Sequence, residues 1–139
     1  MNARRLEFSL PFPPTINTYW RHVVTGKRAA TILSEDARAY RKAVAQHVIA
    51  QHVARNSLTG KLAVEITVFP PDRRDRDIDN LPKGILDSLK HAGVIRDDAD
   101  IDDLRITRAT VVKGGAVRIT VSEIAGAATV SGALFAEQV

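Results

Sequence analysis

The sequence predicts an α+β fold: one domain built on a mixed β-sheet, with two main helices packed on it and a β-hairpin at its C-terminal end. Three observations predict this. Several short segments place apolar residues at every second position, two longer ones repeat them at steps of three and four, and proline- or glycine-rich stretches separate them. The chain has 139 residues, a length that buries one hydrophobic core and needs no second domain. Aromatic residues make up only 5% of it, so the core is aliphatic.

Leu6, Phe8 and Leu10 alternate in a first strand, which Pro11, Pro13 and Pro14 end by fixing φ and removing donors. Asn17 to His22 follows, and Thr25-Gly26-Lys27-Arg28 has the composition of the tip of a small basic hairpin. Ser34 is a good N-cap, and Glu35 and Asp36 suit the positive end of the helix dipole. This helix is expected to run to about Ala54, with Ala37, Tyr40, Val44 and Val48 on its apolar face. Leu62, Val64, Ile66 and Val68 give the clearest strand, ended by Pro70 and Pro71. A second helix is expected to start near Asp79 or Asn80, with Asp79 well placed as its cap, and to stop at Gly93. Leu81, Ile85, Leu86 and Leu89 form its buried face, and Pro82 is tolerated in its first turn. Leu104–Val112 and Ala116–Glu123 flank Lys113-Gly114-Gly115 as the expected hairpin, with a phase shift between Ile106 and Ala109 that suggests a bulge. The strand from 62, the second helix and the strand from 104 form an expected right-handed crossover. The domain is taken as residues 1–124, with 125–139 as a flexible tail.

Composition removes several kinds of function. Without cysteine there is no disulfide framework, zinc ribbon or thiol nucleophile. No apolar run approaches the roughly 20 residues that span a bilayer, and the N-terminus does not read as a signal peptide, so a cytoplasmic protein is expected. His47 and His52 lie five apart and do not share a helix face. No P-loop, GxGxxG or Ser-His-Asp order is present.

The charge distribution is more informative than the net charge of +4. Asp72 to Asp103 holds ten acids and six bases, a local balance of −4, leaving fourteen bases and six acids elsewhere. A basic body attracts phosphate, while an acidic segment holds divalent cations. Within that segment Asp77 and Asp79 stand two apart before a helix, where an extended backbone points both carboxylates the same way. Magnesium takes one or two carboxylates, keeps waters and leaves positions for substrate phosphate. A second cluster, Asp97-Asp98-Ala99-Asp100, follows the second helix. That helix is roughly 18 Å long for about 12 residues, so the clusters share a site only if Val94-Ile95-Arg96 runs back along it. EF-hand registers fail: from Asp75 they put Asn80 at position six and Leu86 at twelve, and from Asp98 they put Asp103 and Ala109 there. Lys83 lies about one turn after Asp79 and can face a scissile phosphate. Arg73, Arg74 and Arg76 can grip flanking phosphates, and Tyr19, Trp20, Arg21, Lys27 and Arg28 combine stacking rings with cations. The same residues also read as a helix cap, a polar loop, solvated charges and, for Trp20, core.

Three blocks together resemble the RusA family of Holliday junction resolvases. They are Leu10-Pro11-Phe12-Pro13-Pro14-Thr15-Ile16-Asn17-Thr18-Tyr19-Trp20-Arg21, then Ser34 to Arg41, then Pro71-Asp72-Arg73-Arg74 through Asp77-Ile78-Asp79-Asn80-Leu81, Lys83, Asp87, Leu89, Ala92-Gly93-Val94 and Asp97-Asp98. They span roughly residues 6 to 124. The resemblance implies an α+β homodimer that binds four-way DNA junctions and makes paired, symmetric nicks in recombination and repair, with Mg²⁺ or with Mn²⁺ in its place. It places the essential aspartates at Asp77, Asp79 and Asp98 as metal ligands, and the essential lysine at Lys83; Asp97 matches the first aspartate of the family's pair. Pro82 departs from the pattern, Gly84 weakens the helix by about 1 kcal/mol relative to alanine, and the extra acids Asp100, Asp102 and Asp103 and the C-terminal tail have no clear family role. A bacterial, prophage-borne source fits the resemblance. The alternative from another class is a non-catalytic module for branched DNA, whose aspartates cap and solubilise.

Overall fold

A computed structural model describes residues 4–14, 20–25 and 28–124, with backbone alone for the strands between 20 and 33. The elements in order are β1 (Arg5–Leu10), β2 (Trp20–Thr25), β3 (Arg28–Leu33), α1 (Glu35–Ala50), β4 (Leu62–Phe69), α2 (Pro82–His91), β5 (Ile101–Arg108) and β6 (Ala116–Glu123). Short 3₁₀ turns at Ile78–Asn80 and Asp98–Asp100 precede α2 and β5. Four strands form one mixed sheet in the order β1-β6-β4-β5, and β2 and β3 form a separate antiparallel pair. This is the expected α+β domain with two helices. The expected tail, 125–139, lies outside the described residues.

The apolar alternation of β4 sets the layer structure. Leu62, Val64, Ile66 and Val68 are all buried, and they join Phe8 and Leu10 of β1, Val117, Ile119 and Val121 of β6, and the inner faces of both helices in one cluster. The expected face of α1 is the buried one: Ala37, Tyr40, Val44 and Val48. Ser34 caps the helix, its hydroxyl accepting from the Ala37 N–H at 3.1 Å. The helix ends at Ala50, not near Ala54, because His52 adopts φ +56° and the Val53 N–H returns to Val48 O at 3.0 Å, a Schellman closure without glycine. At that end the Gln51 side-chain amide clasps β1: its Oε1 accepts from the Ser9 N–H at 2.8 Å and its Nε2 donates to Ser9 O at 2.7 Å.

The C-terminal strands form, but not as a hairpin. β5 runs parallel to β4 on one side, while β6 runs antiparallel to β4 on the other. The glycine turn is present, with the Gly115 N–H donating to Val112 O at 2.8 Å, yet it lies in a longer connection. After β5 the chain continues past the end of β4, where the Ala109 N–H donates to Val68 O and the Val112 N–H to Pro70 O. It then turns and comes back on the far side. Residues 109–115 are long enough to step over one strand, about 10 Å at two inter-strand spacings, whereas a hairpin favours a two-residue turn. Burial favours the same order: β4, whose inner face is wholly apolar and buried, gains neighbours on both sides, and β5, with Leu104 44% exposed, takes the edge. The irregularity of β5 falls at its start, where Asp102 is the extra residue between the Leu62–Ile101 and Ala63–Asp103 pairs, not between Ile106 and Ala109.

Candidate metal and nucleic-acid site

The acidic segment leaves the C-terminal end of β4 and is stiffened before it reaches its first candidate ligand. Arg76 is only 13% exposed at its side chain. Its Nη1 donates to Asp72 Oδ1 at 2.8 Å, its guanidinium lies 5.4 Å from the centre of the Phe12 ring, and its carbonyl accepts from Arg108 Nη2. Arg76 therefore organises the loop from inside. Asp72 also takes the Arg74 N–H at 2.9 Å and the Arg74 guanidinium at 3.1 Å. The Arg76 hydrogen bond first, then the Arg74 amide and the Arg74 side chain, hold its carboxyl well below the usual carboxylate range. Of the three arginines read as phosphate grips, Arg73 is exposed without a partner among the described residues. Arg74 is 81% exposed but tied to Asp72.

Asp77 follows directly. Its backbone is extended, its carbonyl accepts from the Asn80 N–H at 3.1 Å, and its carboxylate caps nothing. Asp79 lies inside the 3₁₀ turn, so the residue before α2 is Leu81, and Asp79 is not the helix cap. Both carboxylates are exposed while Ile78 and Asn80 are partly buried. Neither has an ion-pair or hydrogen-bond partner among the described residues. Leu81, 1% exposed, anchors the turn in the core, and Pro82 begins the helix.

The return along α2 is present. Gly93 at φ +81° is the C′ residue; its N–H donates to Lys90 O at 3.1 Å, and the Val94 N–H donates to Leu89 O at 3.0 Å, a complete Schellman motif. Val94 and Ile95 are then buried, and the chain arrives with Asp97 3.8 Å from Lys90 Nζ and Asp98 Oδ2 3.8 Å from Lys83 Nζ. Asp98 thus lies beside the first turn of the helix that precedes it in sequence. Asp97 is explained locally: it caps the 3₁₀ turn by accepting from the Ala99 N–H at 3.2 Å. That bond, followed by Lys90, lowers its pKa. Asp100 pairs with Arg96 at 3.2 Å.

Asp98 Oδ1 is shielded from solvent with no hydrogen-bond partner. An orphaned carboxylate oxygen is costly unless a cation or donor meets it. Asp77 and Asp79, likewise without partners among the described residues, offer the same kind of oxygen donor, the kind a hard divalent ion prefers. Lys83 is drawn to Asp98; among the described residues, however, no three acidic or histidine side chains are gathered closely enough to hold one ion. Of the other candidates, Trp20, Arg21 and Arg28 lie on the β2–β3 pair, with Trp20 opposite Leu33 and Arg28 opposite Thr25; Tyr19 and Lys27 lie outside the described residues. Sequence reading missed Arg108 and Phe12. The available signal was topological: Arg108 ends a strand parallel to β4, at the same C-terminal end from which the acidic loop departs, where functional loops of parallel strands gather.

The family model described as Endodeoxyribonuclease RusA matches residues 11–122. The crossover junction endodeoxyribonuclease of Enterobacteria phage HK97 is 39% identical over 118 residues, 85% of this chain and 94% of that relative. The enzymes of that name from Escherichia coli K12 and from Enterobacteria phage 82 are each 38% identical over 116 residues, 84% of this chain and 92% of each relative. With the match running from the proline-rich opening through the acidic turn to β6, this chain belongs to the RusA endodeoxyribonuclease family.

Proposed function

We propose that this chain is a divalent-metal-dependent endonuclease that resolves four-way DNA junctions. The observation that carries this reading is the return of Asp98 to Lys83 with one carboxylate oxygen shielded and unpartnered. It brings the second acidic cluster back to the end of α2 where Asp77 and Asp79 stand. Asp77, Asp79 and Asp98 would hold the ion, Mg²⁺ or Mn²⁺. When bound, such an ion supplies Lewis acidity at a phosphoryl oxygen and lowers the pKa of a coordinated water.

The chain's own residues do the rest. Lys83, about half exposed, offers its ammonium to the scissile phosphate and balances Asp98 when that phosphate is absent. Arg73 adds an unpaired guanidinium for a flanking phosphate. Hydrolysis across the P–O3′ bond leaves a 5′ phosphate and a 3′ hydroxyl. Resolution needs one nick in each of two strands related by near two-fold symmetry, which a C2 homodimer supplies with two sites. No helix among the described residues is long and apolar enough to cross a membrane, and the bacterial cytoplasm, where DNA is recombined and repaired, is the proposed location.

The test is cleavage of a synthetic four-way junction with Mg²⁺ or with EDTA. Wild type is expected to make paired nicks only with Mg²⁺. Asp77→Asn should lose cleavage by at least about a hundredfold while binding the junction as tightly or more tightly, since one charge that repels phosphate is gone. Wild type that binds the junction with Mg²⁺ and never nicks it would leave the non-catalytic branched-DNA module as the reading.

A further inference from the structure

We infer that a cavity beside the acidic turn seats one unpaired nucleotide of the strand being cut, a reading that rests on the nuclease function above. The cavity is about 160 Å³. Phe12, Pro70, Leu81 and Val111 make its apolar surface, and Arg73, Arg74, Arg76 and Arg108 supply cations around it. Two aspartates also line it, Asp72 and Asp75, but both Asp72 oxygens are already bound by Arg74 and Arg76. Four guanidinium groups against two carboxylates leave a cationic excess within a chain segment that is otherwise acidic. An apolar recess with a ring and arginine planes accepts a flat heterocycle, and guanidinium groups at its mouth accept the phosphate attached to it.

Its position gives the recess a role. Arg76 forms part of the wall, and Asp77 is the next residue; Leu81 closes the same turn. The cavity and the candidate ligands are thus two sides of one short segment, clamped where Arg108 donates to the Arg76 carbonyl. A strand with its phosphate at Asp77 and Asp79 brings an adjoining nucleotide over the recess. Duplex DNA must first unstack that base, whereas a branch point offers bases that are already loosened. The recess therefore favours branched over plain duplex substrate and reads the base next to the cut. Two other cavities among the described residues lack this combination. One on the open face of the sheet balances Arg5 and Arg105 against Glu65 and Asp103, with no aromatic residue. Another surrounds the Arg41–Asp87 pair, whose charges answer each other.

The experiment uses the full-length protein, junctions carrying a single abasic site at each nucleotide flanking the cut, and the variants Val111→Trp and Arg73→Gln. Val111 is 46% exposed, so a larger side chain there fills the recess from its rim. Binding is measured in EDTA and cleavage in Mg²⁺. For wild type, one abasic position should weaken binding by about tenfold or more, the scale of a lost base stack. In Val111→Trp the intact junction should bind with about that same loss, the abasic site should add nothing, and the spread of cleavage rates among flanking sequences should shrink. In Arg73→Gln the abasic penalty should persist while the salt dependence of binding falls. Equal abasic penalties in wild type and a folded Val111→Trp, or no penalty at any position, would overturn the inference. Should Val111→Trp not fold, an abasic scan of wild type without a position-specific loss overturns it alone. A wild type that shows the penalty in EDTA but never cleaves would reject the nuclease reading and leave the recess standing.

Discussion

The arginine run Arg73-Arg74-Arg76 shows how far residue type alone carries an assignment. All three read alike in sequence, as cations beside an acidic segment; burial sets Arg76 apart, and the pairing with Asp72 sets Arg74 apart from Arg73. Arg73→Ala should leave the urea midpoint unchanged and reduce the slope of log K against log salt by about 1, the mark of one lost phosphate contact. Arg76→Ala should do the reverse: the salt slope stays, the midpoint falls, and cleavage drops by about tenfold to a hundredfold, because the peptide before Asp77 loses its support. Asp72 adds a pH dependence to the same knot. Its folded pKa lies below its ordinary 3.8, so its contribution is complete above that value and is lost as pH falls through the lower folded pKa. Melting temperatures of wild type and Asp72→Asn should therefore differ by a constant amount from neutral pH down to about 5, and converge below about pH 4.

At the scale of elements, periodicity was legible and termination was only partly so. The inner face of α1 followed from spacing, and Ser34 marked its start. Its end did not, because His52 has no sequence mark of a left-handed residue. The end of α2 was marked by Gly93, and Gly93→Ala should cost about 1 kcal/mol in urea unfolding. The glycine pair in the last connection gives a sharper comparison. Gly114 and Gly115 both have positive φ, but a Cβ on Gly114 meets nothing within 4 Å, whereas one on Gly115 comes within 2.7 Å of Phe12 Cβ. Gly115→Ala should thus destabilise clearly more than Gly114→Ala and should lower cleavage as well, since Phe12 supports Arg76. Equal losses would show that conformation alone sets the need for glycine there. The glycine turn was seen in sequence, but its partner strands were misjudged, since a turn motif does not say whether another strand lies between its arms.

At the scale of the whole molecule, the sheet, the two helices and the return of the chain along the second helix could be argued from sequence, because each rests on apolar spacing and chain length. The meeting of Phe12, Arg76 and Arg108 could not, because it joins three distant segments through tertiary packing alone. The strand order belongs to the same class. Central β4 is the element on which the rest depends: Ile66, fully buried between β5 and β6, should cost about 2–5 kcal/mol when cut to alanine, measured by chemical denaturation. The order β1-β6-β4-β5 leaves two rims, and they are not equivalent. On β1 the Gln51 amide already occupies the backbone of Ser9, so an incoming chain would have to evict it, while the rim of β5 carries no such plug among the described residues. A ladder of molecules joined rim to rim needs two vacant rims on every member. With one sealed, association through this sheet stops at a pair and does not lengthen into a fibre.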